Sequence, residues 1–347
     1  MQINSYNKPV SLSFQFFMVI VTSVILLISI YRASSKYTTS DTAPALIAMT
    51  PKTIESFGGS PSGVQVSFFI NDFTIFDPVK NDFEFNGMIC FECDPALVSL
   101  GSLGQFKFQQ GEIIEKSKPY SQVVQDKLWV RYDIKVKFKS GMQYRFFPFD
   151  DHRIYLSMIN SVMQPNEMIF EASLADFQIK GSTTSLLGWK LVNHTAQAGY
   201  VESVIDSNNS QKNVSHPSVL FSADFKRTGS RYATTILLPL LAIFFVSLFV
   251  FSLNPARYST LIVSLAAGSV TALLAYRFVI ENLSPAVGYF MLSDYIFFLF
   301  LLTTSLVFFF SIMSARLHYI VKNFIVILLH LMVVSACIYL MFFWINT

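Results

Sequence analysis

Hydrophobic positions along the chain fall into two regimes. Between residues 64 and 160 they come as short runs: VQVSFFI, FTIF, FEFNGMICFE, LWVRYDIKVKFK, MQYRFFPF and HRIYLSMI. Several alternate apolar and polar, the period of a strand with one face buried. Turn signals at Asp77-Pro78, Lys139-Ser140-Gly141 and Gln164-Pro165-Asn166 separate them. This predicts an antiparallel, Ig-like β-sandwich over residues 64–230. Elsewhere the apolar runs are long, at 14–31 and then roughly 232–253, 258–280, 291–314 and 321–345. A bilayer-spanning helix needs about 20 mostly apolar residues, so each run qualifies. The links Asn254–Arg257, Glu281–Phe290 and Ala315–Ile320 are short enough to set neighbouring helices antiparallel. The expected order is a hydrophobic segment at 1–36, a Ser/Thr/Pro/Gly-rich linker at 37–63, the sandwich, and a four-helix transmembrane domain at 231–347. The first run reads as a signal peptide or an uncleaved anchor. Its length, and the lack of a small-x-small site close behind it, favour the anchor.

One segment has a second pattern inside it. Between Tyr258 and Glu281, residues Thr260, Ser264, Gly268, Thr271, Ala275 and Phe278 recur at spacings of three or four and share one helix face. Ile262, Leu265, Leu273, Tyr276 and Ile280 lie off that face. A membrane helix with a small, hydroxyl-bearing stripe either packs closely on another helix or lines water.

Composition narrows the classes. The 347 residues are 52% apolar and 14% charged, with mean hydropathy +0.48, which excludes a typical soluble protein. A net charge of +3 gives no basis for nucleic-acid binding. Three cysteines are too few for a disulfide scaffold. Cys90-x-x-Cys93 has no second pair or nearby histidine, and residues three apart on a strand face opposite ways, so both read as structural. Histidines 152, 194, 216, 318 and 330 form no HExxH or triad pattern, and no phosphate-cradling Gly-rich loop occurs. No enzyme, metal or cofactor is therefore expected. Asn193, Asn208 and Asn213 begin glycosylation sequons, relevant only in a eukaryotic secretory path. Placing the sandwich outside the cell or in the periplasm leaves Arg257, Arg316 and Lys322 inside, as positive-inside topology prefers, whereas Lys226, Arg227 and Arg231 count the other way.

A β-sandwich followed directly by four membrane helices resembles the pentameric ligand-gated ion channel (Cys-loop receptor) family, above all its bacterial members, over residues 64–345. The most specific string is Phe147-Pro148-Phe149-Asp150, which in the family forms a loop touching the membrane domain, often with a cis proline. The cysteines that flank this loop in vertebrate receptors are absent; by spacing their places are Ser140 and Ile154. Val64–Asn71 and Phe83–Asp94 look like the first strands. Gly188-Trp189, Arg231-Tyr232 with Ile236–Pro239, and Glu281–Pro285 with Tyr289 are similar to further family landmarks. The short Ala315–Ile320 link again looks bacterial.

The resemblance implies a plasma- or inner-membrane channel subunit whose partners are four further copies, the bilayer, permeant inorganic ions and a small-molecule ligand of unknown identity. Tyr258–Glu281 falls where the family has its pore helix, so the stripe from Thr260 to Phe278 would form rings around an axis. Domain coupling is expected at Phe147, Pro148, Phe149, Asp150, Arg231 and Pro285, with Asp151 and Arg227 as further charges at the junction. Candidate ligand residues are Phe91, Trp129, Ser161 and the loop around Tyr200. The sequence also departs from the family. Ser259 or Thr260 stands where cation channels carry an acidic ring. Pro255-Ala256-Arg257 has the anion-channel spelling about one turn too early. Arg277 and Glu281, four apart, are expected to pair on one face. A Trp-x-Pro motif of the binding loops is missing. The rival reading is a non-conducting membrane receptor or scaffold of the same fold.

Overall fold

The computed structural model describes residues 8–58, 60–180, 185–186, 188–204 and 213–342. Contacts divide the chain into two units. One comprises Thr39–Gln143 and Asp151–Thr228, and the other comprises the N-terminal segment through Thr38, Tyr144–Asp150 and Gly229–Thr347.

The first unit holds two β-sheets. Its elements are β1 (Ile47–Ala48), α2 (Pro51–Ser56), β2 (Ser62–Asp77), β3 (Asp82–Cys93), α3 (Leu100–Leu103), β4 (Phe106–Phe108), β5 (Gly111–Lys116), β6 (Tyr120–Val124), β7 (Lys127–Phe138), β8 (His152–Asn160), β9 (Met168–Glu171), β10 (Phe177–Ile179), β11 (Ser185–Leu186), β12 (Trp189–Val204) and β13 (Asn213–Arg227). One sheet runs β1-β12-β13-β8-β4 with β11 on β12. The other runs β10-β2-β3-β7-β5, with β6 on β7 and β9 on β2. Alternation explains the packing: along β2, Val64, Val66, Phe68 and Ile70 are buried, with partly exposed residues between them. The phenylalanines meet between the sheets. The Phe68 ring lies 5.0 Å from Phe221 and 6.0 Å from Phe108, and Phe76 lies 4.8 Å from Phe225. Tilted contacts at these spacings suit aromatic quadrupoles.

Four expectations are corrected here. The sheets are not purely antiparallel, because β9 and β10 both pair with β2 in parallel; after β8 the chain crosses back to the opposite sheet. MQYRFFPF is not a strand: residues 141–150 are a loop with turns and a cis Phe147–Pro148 bond. Residues 37–63 are not a bare linker. They carry β1, paired antiparallel with β12, and α2, which opens with a Thr50–Thr53 capping box and Pro51. Within that stretch the Asp41 side chain is fully buried, accepting from Gln143 N at 2.6 Å and Arg153 N at 2.8 Å and pairing with the His152 ring at 3.1 Å. The sandwich unit therefore begins at Thr39 rather than residue 64.

The second unit is helical. It holds α1 (Leu12–Ser35), α4 (Arg231–Leu248, continued as a 3-10 turn to Ser252), α5 (Pro255–Leu283), α6 (Leu292–Ile312) and α7 (Tyr319–Phe342). All five helices are long and apolar enough to cross a membrane, which points to a membrane protein. α5 starts with Asn254, whose side chain accepts from Ala256 N, and with Pro255 in the first turn. It thus begins three residues before the expected Tyr258, where the backbone leaves helical geometry (φ −123°, ψ 28°). Lys322, counted among the inside charges, is buried near the start of α7.

Candidate functional site

The striped helix is the least apolar of the five: its mean hydropathy is 1.7, against 2.3 to 2.6 for the others. Its inward face is set by Ile262, Ala266, Ser269, Leu273 and Ile280, all buried at spacings of three, four or seven. Ile262 and Ala266 pack with Val250 at the end of α4, and Phe308 of α6 closes on them. Ser269 satisfies its hydroxyl within the helix, on Leu265 O at 3.0 Å. Thr260, Ser264, Gly268, Thr271, Ala275 and Phe278 are all exposed in the single chain. Phe278 is 69% exposed. A Cβ placed on Gly268 would meet nothing within 4 Å. Thr271 returns its hydroxyl to Ala267 O at 3.1 Å, leaving oxygen lone pairs facing outward.

At the other end of α5, Arg277 bonds Glu281 at 3.0 Å, the spacing-four pair expected from sequence. It also bonds Asp294 at the start of α6, a partner the sequence pattern does not reveal. Asp294 is nearly buried and accepts from Met291 N at 2.7 Å, capping α6. These three residues and the 284–291 link, Tyr289 included, line an open cavity of about 520 Å³.

The Phe147-Pro148-Phe149-Asp150 loop belongs to the helical unit. The first N–H groups of a helix have no partner within the helix. Here Leu292 N donates to Arg145 O at 2.9 Å and Ser293 N to Phe147 O at 3.0 Å. The Tyr289 hydroxyl oxygen accepts from Tyr144 N at 2.8 Å. Phe147 is fully buried, 6.0 Å from the Tyr232 ring of α4, and Pro148, Phe149 and Asp150 are buried beside it. Pro285 is buried in the α5–α6 link, whereas Arg231 is exposed at the start of α4. In the sandwich unit, Asp151 accepts from Arg227 N at 2.8 Å, and the Arg227 guanidinium lies 4.3 Å from the Trp189 ring. The Ser140 hydroxyl accepts from Tyr155 N at 3.2 Å.

The four candidate ligand residues do not converge within one chain. Phe91 is a core residue, 5.5 Å from Phe106 and 6.2 Å from both Tyr132 and Phe170. Trp129 lines a surface pocket of about 280 Å³ with Glu92, Gln122 and Lys127. Ser161 follows β8, its hydroxyl 3.4 Å from Gln105 O. Tyr200 sits in strand β12 rather than a loop, buried under Phe57 of the α2 end at 5.2 Å. Burial holds the Cys90 and Cys93 thiols above their ordinary range, as expected of structural cysteines. Asn193 lies in β12 and Asn213 opens β13; Asn208 falls outside the described residues. No protein-family model matches the chain, and no curated protein matches it significantly.

Proposed function

We propose that the chain is one subunit of a pentameric ligand-gated-type ion channel, passing inorganic ions passively through an axial pore lined by α5. The observation that carries this reading is the outward stripe. Ile262, Ala266, Leu273 and Ile280 of α5 are buried inside the subunit, while every hydroxyl and small residue of the stripe stays on the surface, flanked by exposed Leu261, Val263, Leu274 and Val279. Hydrocarbon gives such a face no hydrogen bonds, and a hydrated axis does. Five copies turn Thr260, Ser264 and Thr271 into rings of hydroxyls that replace part of an ion's water shell. Gly268 and Ala275 leave width, and Phe278 narrows the outer mouth, where an apolar ring gates by dewetting. Arg277 is committed to Glu281 and Asp294, which supports a structural role and argues against a cationic selectivity ring.

The sandwich supplies the sensing part, extracellular or periplasmic. Two further features support several copies side by side. All five residues of edge strand β6 are exposed, including Tyr120, Val123 and Val124, and an apolar edge of this kind invites a neighbour. Trp129 lines an open surface pocket on β7, so a ligand between adjacent subunits would meet it, whereas Tyr200 on the other sheet is covered by Phe57. The Phe147 loop transmits the response, because its carbonyls hold the first turn of α6, which is joined to the outer end of α5. Planar-bilayer recordings of the purified protein under ion gradients test this. We expect currents in the wild type and their loss in Ser264→Phe. A five-membered ring passing no current across pH, voltage and a small-molecule panel would instead make the chain a non-conducting receptor.

A further inference from the structure

The N-terminal helix α1 is built inside-out. Its buried positions are Gln15, Thr22, Leu26, Ser29 and Ala33, a narrow and mostly polar or small stripe at helical spacing. Its large apolar residues, among them Phe17, Ile20, Val24, Leu27 and Ile28, are exposed. A helix that hides its polar face and presents its apolar one has the polarity lipid requires. The hidden face meets particular partners. Gln15 Nε2 donates to Leu248 O at the end of α4 at 2.9 Å, and Thr22 Oγ1 shares a hydrogen bond with His330 Nδ1 of α7 at 2.8 Å. Gln15 is 1% exposed, Thr22 2% and His330 2%, so neither bond competes with solvent. His330 is itself fixed between the Phe244 and Phe245 rings, at 5.7 and 6.0 Å. Near the start of α1, Val10 N donates to Phe251 O at 2.9 Å, Phe16 lies 5.2 Å from Phe249, and the Lys8 ammonium lies 4.6 Å from the Tyr319 ring of α7.

We propose that α1 is a permanent fifth membrane crossing, retained in the mature protein and docked on α4 and α7 in the one register that the Gln15–Leu248 and Thr22–His330 bonds define. A leader that is removed after export needs hydrophobicity and a cleavage site, not a register. Sliding α1 by one residue rotates Gln15 and Thr22 about 100° away, into hydrocarbon, and strands His330 Nδ1. The docking also fixes direction. α1 starts beside the end of α4 and the start of α7, on the side where Arg257 lies, and it runs antiparallel to α4.

Two readouts on the full chain test this, and neither depends on conduction, so a failure of the channel reading leaves them intact. Intact-mass measurement of C-terminally tagged protein purified from membranes is expected to include residues 12–35; a mature N-terminus beyond Ser35 overturns the proposal. In detergent, Thr22→Val is expected to melt about 2–4 °C below wild type, while Thr22→Ser, which keeps the hydroxyl, melts with it. Identical melting of all three proteins overturns the register.

Discussion

Asp41 offers the sharpest test of the packing argument, because a sequence reading assigns it to a linker while the structure makes it a keystone of the sandwich unit. Its carboxylate accepts from two backbone N–H groups, of Gln143 and Arg153, and from the buried His152 ring. The two side chains of the pair are 0% and 1% exposed. Asp41→Ala removes every one of these acceptors at once. Each of the three stranded buried donors costs about 1–3 kcal/mol. Allowing for water entering the vacated space, the expected loss is about 3–5 kcal/mol. At roughly 2–4 °C per kcal/mol, that lowers Tm by about 6–20 °C. Trp189 lies 5.5 Å from the His152 ring, so with the other two tryptophans replaced by phenylalanine its fluorescence reports the change locally during thermal unfolding of the whole protein in detergent. Asp41→Asn, which keeps shape and one carbonyl oxygen, falls between wild type and alanine. A Tm for Asp41→Ala within 2 °C of wild type refutes the reasoning.

Three further outcomes are expected. Gly199→Val forces β1 off β12, since even a Cβ there would stand 2.3 Å from Ile47 O; hydrogen exchange at Ile47 and Ala48 rises, and unchanged protection contradicts the close approach. Arg277→Gln leaves Asp294 nearly buried without its cation and lowers stability by about 2–4 kcal/mol, visible as a lower Tm; a neutral effect means that the pair contributes nothing. Burial pushes the Asp176 carboxyl up, but hydrogen bonds from the Ser173 hydroxyl and N–H, Ser67 and Gln65 outweigh it and hold the group below its ordinary value. Because the folded value lies under the unfolded value of about 3.9, this stabilisation is complete above that pH and is lost as pH falls through the folded value. Asp176→Asn is therefore less stable than wild type at pH 7, with a gap that narrows on acidification; a pH-independent gap contradicts the assignment.

What could be read from residues alone follows the strength of each local signal. Alternation in Val64–Ile70 and the long apolar runs survive any tertiary context, because burial of one face or immersion in lipid is their only stable use. The stripe on α5 was legible for the same reason: a fixed helical period sorts Thr260 and Ser264 from Ile262 before any neighbour is known. Features made by distant partners were not legible. Nothing near Asp41 announces His152, and nothing near Arg277 announces Asp294, because folding brings these charges together from separate parts of the sequence. MQYRFFPF was misread because apolar content mimics a strand, whereas here its carbonyls serve the start of α6. Tyr200 was misread because β12 and β13 carry many small and polar residues, Ala196 to Gly199 among them, which dilute the strand pattern.

The central claim is that the stripe on α5 faces water at an axis shared by five subunits. The direct measurement is the rate at which a charged methanethiosulfonate modifies Ser264→Cys and Thr271→Cys in membranes, in a background lacking the three native cysteines. Phe309→Cys, on the exposed face of α6, serves as the lipid-side comparison. Thiols ionise and react only where water reaches them. The account predicts rapid modification at positions 264 and 271 and almost none at 309; equal inertness at all three positions would contradict it.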